Sequence, residues 1–190
     1  MMRIVKIGLF GFLAMVFTFG ILGCSAEEAT TEVGTGGQSM STLEFSSPAF
    51  GNNEGIPEIY TCNGKNISPE LTWGEPPTGT QSFVLIMDDP DAPLGNWDHW
   101  ILFNLPAETR GLAENIQTLP VGAKIGKNSW GNTAYGGPCP PGGARHRYFF
   151  KLYALDQTLD LDQGATKKKI EKALVNHVLA QAEWIGIYKP

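Results

Sequence analysis

The chain has 190 residues, and its 14 lysines and arginines against 19 aspartates and glutamates give a formal net charge of −5. Hydrophobic residues make up 42% and charged residues 17% of the sequence, which excludes a wholly disordered chain. A negative balance without a long basic run argues against nucleic acid as a partner. The 23 glycines and 13 prolines favour a β-rich or turn-rich fold over a helical bundle.

The first element in chain order is a targeting segment, which we assign to residues 1–23. Two cations, Arg3 and Lys6, precede an apolar run of about 16 residues, shorter than the roughly 20 residues that a membrane-spanning helix needs. The residues that end at Cys24 resemble a bacterial lipobox, in which the cysteine sulfur receives a diacylglycerol before cleavage. The sequence therefore predicts a lipoprotein signal peptide and a lipidated Cys24, with an uncleaved anchor helix as the alternative.

Residues 24–42 are small, polar and acidic, and they repeat at neither a helical nor a strand period. We expect this segment to be a flexible tether between the lipidated cysteine and one domain over residues 43–190. That domain is long enough to bury a core. The predicted location is outside the cytoplasm, attached to a membrane in the periplasm or at the cell surface.

Within the domain, short β-type runs alternate with turn clusters at spacings typical of a mostly β fold. Residues 83–87 are continuously apolar, which predicts a central strand buried on both faces. Residues 148–155 form a similar run, in which Lys151 indicates an edge or an exposed position. The predicted strands span residues 43–45, 56–60, 83–87, 100–105, 148–155 and 183–188.

Helical periodicity is confined to one segment near the end of the sequence. Apolar residues and His177 recur at helical spacing within 170–178, which predicts an amphipathic helix over residues 166–181. Thr166 is a candidate cap for its first turn. The lysines at 167–169 are predicted to face solvent, and His177 is predicted to lie in or beside the core.

Polar residues concentrate in three segments at the ends of predicted strands, where loops on a rigid scaffold commonly carry function. They are Asp-Asp-Pro-Asp-Ala-Pro at 88–93, Trp-Asp-His-Trp at 97–100 and a loop rich in glycine and proline at 135–148. Two imidazoles, carboxylates, a tyrosine hydroxyl and the N–H groups of a glycine-rich turn would form a small pocket rich in hydrogen-bond donors. Such a pocket is typical of anion binding, with imidazoles whose charge changes near neutral pH.

In order and spacing, these segments and a fourth at 67–73 resemble the phosphatidylethanolamine-binding protein family, also called Raf kinase inhibitor-like proteins. The resemblance is to the bacterial and archaeal branch and covers about residues 43–190. The residues that carry it are Ile-Ser-Pro-Glu-Leu-Thr-Trp at 67–73, Asp-Pro-Asp-Ala-Pro at 89–93, Asp-His-Trp at 98–100, Gly-Gly-Pro-Cys-Pro-Pro at 136–141 and His-Arg-Tyr at 146–148.

The resemblance implies a two-sheet antiparallel β-sandwich of Greek-key type, with one or two short helices and a small anion pocket. The residues that it implies for ligand binding are Asp89, His99, Gly137, Pro138, His146 and Tyr148. In animal members a C-terminal helix covers the pocket. The sequence predicts a strand over 183–188 instead, which argues against gating of that kind.

Purely structural roles remain open for the same side chains. Asp89 could cap a turn, His99 could be a packed strand residue, and His146 could pair with a neighbouring aspartate. Arg147 alternates with His146 along a predicted strand, so we expect it to point to the other face and to form a structural ion pair.

Two cysteines, Cys62 and Cys139, remain beside Cys24 in a chain predicted to be exported. One disulfide between their two loops is the expected arrangement, with free thiols as the alternative. The prolines on both sides of Cys139 provide no helix N-terminus that would activate it as a nucleophile.

Three functions are compatible with these residues. The first is a binding module for a small anion or a phospholipid head group, without a cofactor. The second is an envelope protein that inhibits a protease or transmits a signal through its surface, since some family members inhibit kinases or serine carboxypeptidases. The third, a His/Asp hydrolase or a metal site, is disfavoured, because neither a Gly-x-Ser-x-Gly motif nor a standard metal-ligand spacing is present. We therefore expect no enzymatic activity and no metal.

Overall fold

The computed structural model describes residues 41–190, which form two β-sheets and one α-helix. The predicted signal peptide at 1–23, the lipidated Cys24 and the tether up to residue 40 lie outside the described residues. Ser41–Thr42, which the sequence assigns to the end of the tether, is a strand of the larger sheet.

Ten strands and one helix occur in this part of the chain, together with 3₁₀ turns at Glu58–Tyr60 and Pro141–Gly143. The strands are β1 (Ser41–Thr42), β2 (Phe45–Ser46), β3 (Glu54–Gly55), β4 (Leu71–Trp73), β5 (Ser82–Asp89), β6 (Trp97–Pro106), β7 (Gly111–Leu112), β8 (Lys124–Ile125), β9 (His146–Leu155) and β10 (Val178–Tyr188). The helix, α1, spans Lys167–Leu174.

The larger sheet has the strand order β1-β10-β9-β5-β6-β8, with β3 also paired to β10, and the smaller sheet has the order β2-β4-β7. Pairings among the long strands β5, β6, β9 and β10 are antiparallel, whereas β1 and β3 pair in parallel with β10. The main apolar core lies between the sheets and joins Phe45 and Trp73 to Phe83 and Leu85. The predicted mostly β, two-sheet sandwich is confirmed, with two short parallel edges that the sequence did not indicate.

Strand β5 is the centre of the larger sheet, as its unbroken apolar run predicts. Its odd-numbered side chains, Phe83, Leu85 and Met87, belong to the core between the sheets. Its even-numbered side chains, Val84 and Ile86, belong to a second core under α1. Because successive side chains of a strand point to opposite faces, a strand that is covered on both faces must be apolar at every position.

Strand β9 is also central, so the prediction of an edge or exposed position at Lys151 is wrong. It lies between β10 and β5, and Lys151 is half-buried. The ammonium group of Lys151 bonds to Asp88 on the neighbouring strand at 2.9 Å, which satisfies its charge inside the sheet.

Two short strand predictions are also corrected. Residues 56–60 form no strand, because Pro57 cannot donate to a ladder and its φ of −58° leads into the 3₁₀ turn. The strand predicted at 43–45 is shifted to Phe45–Ser46, and β4 was not predicted at all. Strands of two or three residues are too short to show a period in the sequence.

The predicted helix over 166–181 is seven residues too long at its C-terminal end. Helix α1 ends at Leu174, Asn176 adopts a left-handed φ of 67°, and β10 begins at Val178. Long antiparallel pairing of β10 with β9 overrides the helical periodicity there. Thr166 precedes the helix as expected, but its side chain makes no capping hydrogen bond.

A buried carboxylate connects β5 to α1 on the outer face of the sheet. Asp88 is fully buried and accepts hydrogen bonds from Lys167 at 2.5 Å, Lys151 at 2.9 Å and Asn96 at 2.9 Å. Burial acts to raise the pKa of Asp88, but these donors outweigh it and hold the pKa below its ordinary value. The prediction that the lysines at 167–169 face solvent is therefore wrong for Lys167, whose side chain is 12% exposed.

We predict that Lys167→Ala lowers the free energy of unfolding by about 1–3 kcal/mol, because it leaves a buried carboxylate under-bonded. Urea unfolding followed by circular dichroism measures this change. The control is Lys168→Ala, an exposed neighbour in the same helix turn, for which we expect less than about 0.5 kcal/mol. Equal effects of the two substitutions would contradict a specific role for the Lys167–Asp88 bond.

Candidate functional site

The carboxyl end of β5 turns one aspartate toward the space between the sheets. Alternation places Asp88 on the α1 face and Asp89 on the opposite face, where Asp89 is buried. One carboxylate oxygen of Asp89 accepts the Asp91 backbone N–H at 2.9 Å, which closes a tight turn after the strand. The other accepts the Nδ1–H of His146 at 2.7 Å. The turn-capping and ligand-pocket interpretations of Asp89 are therefore compatible.

His99 reaches the same space because of a β-bulge. Met87 pairs with Trp100 but Asp88 pairs with Asp98, so β6 has one residue more than β5 at this point. A bulge redirects the side chain of the extra residue. As a result, His99 and Trp100 face the same side of the sheet although they are consecutive: His99 packs on Tyr148 and Trp100 packs on Tyr135. Ring Nδ1 of His99 lies 2.7 Å from the carbonyl oxygen of Gly136, which requires a proton on Nδ1.

His146 begins β9, the strand next to β5, so its ring meets Asp89 across the sheet. The predicted outward orientation of the following residue, Arg147, is confirmed: its guanidinium forms an ion pair with Asp91 at 2.7 Å. Hydrogen bonds from Arg147 lower the pKa of Asp91 to about 2. The two faces of this strand end therefore carry a buried His–Asp pair and an exposed Arg–Asp pair.

Asp89, His99 and His146 line one pocket of about 370 Å³, which we call the His–Asp pocket. Its walls also include Trp97, Trp130 and Cys139. Its remaining lining is apolar and comes from Ala92, Pro93, Leu94 and Pro141. Leu94 is 90% exposed, so an apolar surface lies beside a polar floor.

Each imidazole in the pocket has one occupied and one free nitrogen. Nδ1 is bonded in both rings, to Gly136 for His99 and to Asp89 for His146. Nε2 of either ring has no hydrogen-bond partner among residues 41–190, so Nε2 is the atom that can bind a ligand. Burial lowers the pKa of His99 below its ordinary value, which favours the neutral ring when the pocket holds no charge.

Tyr148 lies behind the pocket rather than in its lining. Its ring packs edge-on against His99 with 5.1 Å between ring centroids. Its hydroxyl is buried without a hydrogen-bond partner in the described part of the chain. Burial, together with the charge of Asp89, raises the pKa of Tyr148, so the hydroxyl stays protonated and can donate.

The glycine-rich turn does not form the expected nest of free N–H groups. The Gly136 N–H donates to the His99 carbonyl at 3.1 Å, and the Gly137 N–H donates to the Asn66 side chain at 2.7 Å. A Cβ atom at Gly137 would lie 2.2 Å from the Tyr60 carbonyl oxygen, so glycine is required there for close packing. The Pro138 carbonyl accepts the Cys62 N–H. Gly137 and Pro138 thus shape the loop, and neither is in the lining of the His–Asp pocket.

The predicted disulfide between Cys62 and Cys139 is confirmed, with 5.4 Å between the Cα atoms. It joins positions 77 residues apart in sequence, which by chain entropy is worth about 4 kcal/mol. Because Cys139 lines the His–Asp pocket, this crosslink fixes one pocket wall to the N-terminal part of the domain.

Sequence analysis missed Trp130, which lies outside the three polar segments. Its ring stands at 5.0 Å from His99 and 5.5 Å from Trp97. The local sequence Asn-Ser-Trp-Gly-Asn, an aromatic residue in a polar turn, was the available signal. Within residues 41–190, no cluster of three metal-ligating side chains occurs, and no helix has the length and apolarity that a membrane crossing requires.

Comparison with known sequences places this chain in a family. The family model for phosphatidylethanolamine-binding protein matches residues 46–189. A UPF0098 protein from Aquifex aeolicus is 50% identical over 151 residues, which covers 77% of this chain and 88% of the relative. A UPF0098 protein from Methanothermobacter thermautotrophicus is 47% identical, with 77% and 99% covered. The similarity extends to bacterial and archaeal proteins, as the sequence motifs imply.

Solved structures agree with this placement. A phosphatidylethanolamine-binding protein homologue, CT736 from Chlamydia trachomatis, superposes with a TM-score of 0.73 at 40% identity, covering 78% of this chain and 98% of that one. YbcL of Escherichia coli, described as a new member of the mammalian family, gives a TM-score of 0.74 at 32% identity and covers 79% and 99%. The fold, the family model and the relatives together establish that this chain belongs to the phosphatidylethanolamine-binding protein family.

Proposed function

We propose that this protein is an exported, membrane-anchored binding protein whose His–Asp pocket holds a small anion such as phosphate or a phosphorylated head group. The observation that carries the proposal is the pair of buried imidazoles, His99 and His146, in one pocket, where neither Nε2 atom has a hydrogen-bond partner in the described part of the chain. Since Nδ1 of each ring already carries the proton of its bond to Gly136 or Asp89, the two Nε2 atoms can donate to one oxyanion only when both rings carry a second proton.

Anion binding requires proton uptake at His99 in this scheme. Since Nδ1 of His99 already carries a proton, Nε2 of the neutral ring is an acceptor and can donate only after the ring is protonated. An anion in the pocket favours the charged ring and raises the lowered pKa of His99. The affinity for an anion should therefore increase as the pH falls, until His99 is protonated in the free protein as well.

Asp89 restricts which anions fit. A carboxylate on the pocket floor repels a bare anion unless His146 offsets its charge, and it accepts hydrogen bonds from an amine or hydroxyl group. The apolar surface at Pro93 and Leu94 lies next to this floor. A phosphate that carries an amine or hydroxyl and an apolar continuation matches all three features. The name of the family, phosphatidylethanolamine-binding protein, agrees with this chemistry.

The pocket supports binding rather than turnover. No serine is among its lining residues, and Cys139 is held in the disulfide. Among residues 41–190, neither imidazole is hydrogen-bonded to a hydroxyl or thiol group that could serve as a nucleophile. We therefore propose a binding protein without enzymatic activity or a cofactor.

We predict that the full chain, purified in detergent micelles, binds sulfate more tightly as the pH falls from about 8 to about 5.5, by up to about tenfold per pH unit for each linked proton. Sulfate is the probe because it stays a dianion over this range. Isothermal titration calorimetry measures the affinity.

We expect His99→Ala and His146→Ala to weaken sulfate binding by roughly 10- to 100-fold, since each removes a charge-assisted hydrogen bond. The matched control is His177→Ala, because His177 makes the same kind of Nδ1–carboxylate bond, to Asp156 at 2.9 Å, outside the pocket. Binding that does not saturate, or an equal loss in the His177 variant, would rule out the His–Asp pocket as the anion site.

The anchor is the second part of the proposal. The basic start, the short apolar run and the lipobox-like ending at Cys24 support export and lipidation. The Cys62–Cys139 disulfide is consistent with an oxidising compartment. Two or three acyl chains on one cysteine hold a protein at a membrane, whereas one chain binds only marginally.

We predict that the mature protein lacks residues 1–23 and incorporates labelled palmitate when it is produced in a bacterial cell. Cys24→Ser should abolish the label and retain residues 1–23, whereas the neighbouring control Ser25→Ala should behave as wild type. Intact mass spectrometry and fluorography of the membrane fraction give both results. A full-length wild-type mass would favour the uncleaved anchor helix.

A further inference from the structure

Two further cavities lie beside the His–Asp pocket. The nearer cavity, of about 270 Å³, shares Trp130 and Cys139 with the pocket. The farther cavity, of about 410 Å³, shares Asn66 and Tyr135 with the nearer one. The three cavities are therefore neighbours along the segment 128–139. We call the two cavities outside the pocket the amide groove.

The lining of the amide groove differs in chemistry from that of the pocket. None of the lining residues within 41–190 has a charged side chain, and carboxamide groups recur along its length. These carboxamides belong to Asn66, Asn115, Gln117, Asn128 and Asn132. A carboxamide both donates and accepts hydrogen bonds, which matches a hydroxyl group, itself a donor and an acceptor.

The carboxamides divide into those that build the loop and those that are free. Asn128 holds the loop: its oxygen accepts the N–H groups of Trp130 and Asn132, and its nitrogen donates one hydrogen bond to the Ala134 carbonyl. The side chain of Asn132 is exposed and makes no hydrogen bond among the described residues. The oxygen of Asn66 accepts from Gly137, which leaves its amino group to donate. Free amide groups therefore remain in the nearer cavity.

Trp130 stands at the junction between the pocket and the amide groove. The ring contacts Gly136, since a Cβ atom there would lie 2.6 Å from Cζ3 of Trp130, and it packs edge-on against Trp97 and His99. The residue is nevertheless 45% exposed. A rigid, half-exposed aromatic ring beside carboxamides suits a sugar, whose C–H face packs on an aromatic ring while its hydroxyls bond to amides.

A peptide fits the same surface less well. Apart from Trp100 and Ile125, every lining residue of the amide groove lies in a loop or turn. A peptide that binds by strand addition needs an exposed strand edge, and β8 offers only two residues. The lack of charged lining residues also gives a charged peptide side chain no partner.

The geometry points to a carbohydrate site: the amide groove binds the sugar units of a ligand whose anionic group occupies the His–Asp pocket. A phosphorylated oligosaccharide or glycolipid head group is the chemical class that fits both parts. The inference rests on the proposed function for the anionic end, whereas the amide groove itself is tested by neutral sugars.

The experiment titrates the full chain in detergent with four kinds of probe: inorganic phosphate, the neutral trisaccharides maltotriose and chitotriose, their phosphorylated derivatives, and the phosphopeptide Gly-Gly-phosphoserine. Calorimetry measures affinity, and the indole N–H signal of Trp130 reports contact. We expect at least one phosphorylated trisaccharide to bind about tenfold or more tightly than phosphate, as a few added hydrogen bonds predict.

Two variants separate the groove from the pocket. Asn132→Ala should abolish the extra affinity of the phosphorylated trisaccharide over phosphate and leave the affinity for phosphate unchanged. His146→Ala should weaken the binding of both phosphate and the phosphorylated trisaccharide. Gln181→Ala, which removes an exposed carboxamide on β10 outside the groove, should change neither.

The outcomes distinguish the two proposals. Phosphate could fail to bind while a neutral trisaccharide shifts the indole N–H signal of Trp130 in the wild type but not in Asn132→Ala. In that case the carbohydrate site stands and the proposed anion pocket fails. Equal affinity of phosphate and both phosphorylated trisaccharides would overturn the sugar site. If the phosphopeptide binds more tightly than phosphate and Asn132→Ala abolishes this difference in affinity, the amide groove binds a peptide and the sugar site is overturned.

Discussion

The structure depends on two consecutive buried carboxylates at the end of β5. Strand alternation sends Asp88 to the α1 face and Asp89 to the space between the sheets, and a buried charge is tolerated only when it is paired. Asp88 forms ion pairs with Lys151 on β9 and with Lys167 on α1, which connect β5 to both elements. Asp89 accepts a hydrogen bond from His146, and the two side chains form the floor of the pocket. One strand end thus links the stability of the fold to the geometry of the site.

The rest of the site is built from departures from regular structure. The bulge in β6 directs His99 inward beside Trp100, and the close approach of Gly137 to Tyr60 brings the proline-rich loop against the sheet. The disulfide then holds Cys139 in the pocket wall. Regular strands provide the direction of the side chains, and these irregular features bring groups from distant segments into one cavity.

Sequence patterns were informative where one physical signal dominates. The unbroken apolar run of β5 identified the central strand, and the alternation of β9 separated His146 from Arg147 correctly. Sequence patterns failed where contacts between segments that are distant in the sequence determine the secondary structure or the burial of a side chain. The segment after Leu174 has helical spacing but pairs with β9 as a strand, and Lys167 has the appearance of a surface residue but neutralises Asp88. Trp130 and the amide groove come from loops without a period, so only the fold could bring them to the pocket.

The most direct test of the anion pocket is to follow the imidazole nitrogens of the full chain by ¹⁵N NMR during a phosphate titration. The account predicts that free His99 is neutral with its proton on Nδ1, and that phosphate shifts His99 and His146 together and saturably while His99 becomes doubly protonated. His177 should stay unchanged. If neither pocket imidazole responds at millimolar phosphate while the fold is intact, the pocket does not bind anions and the account is wrong.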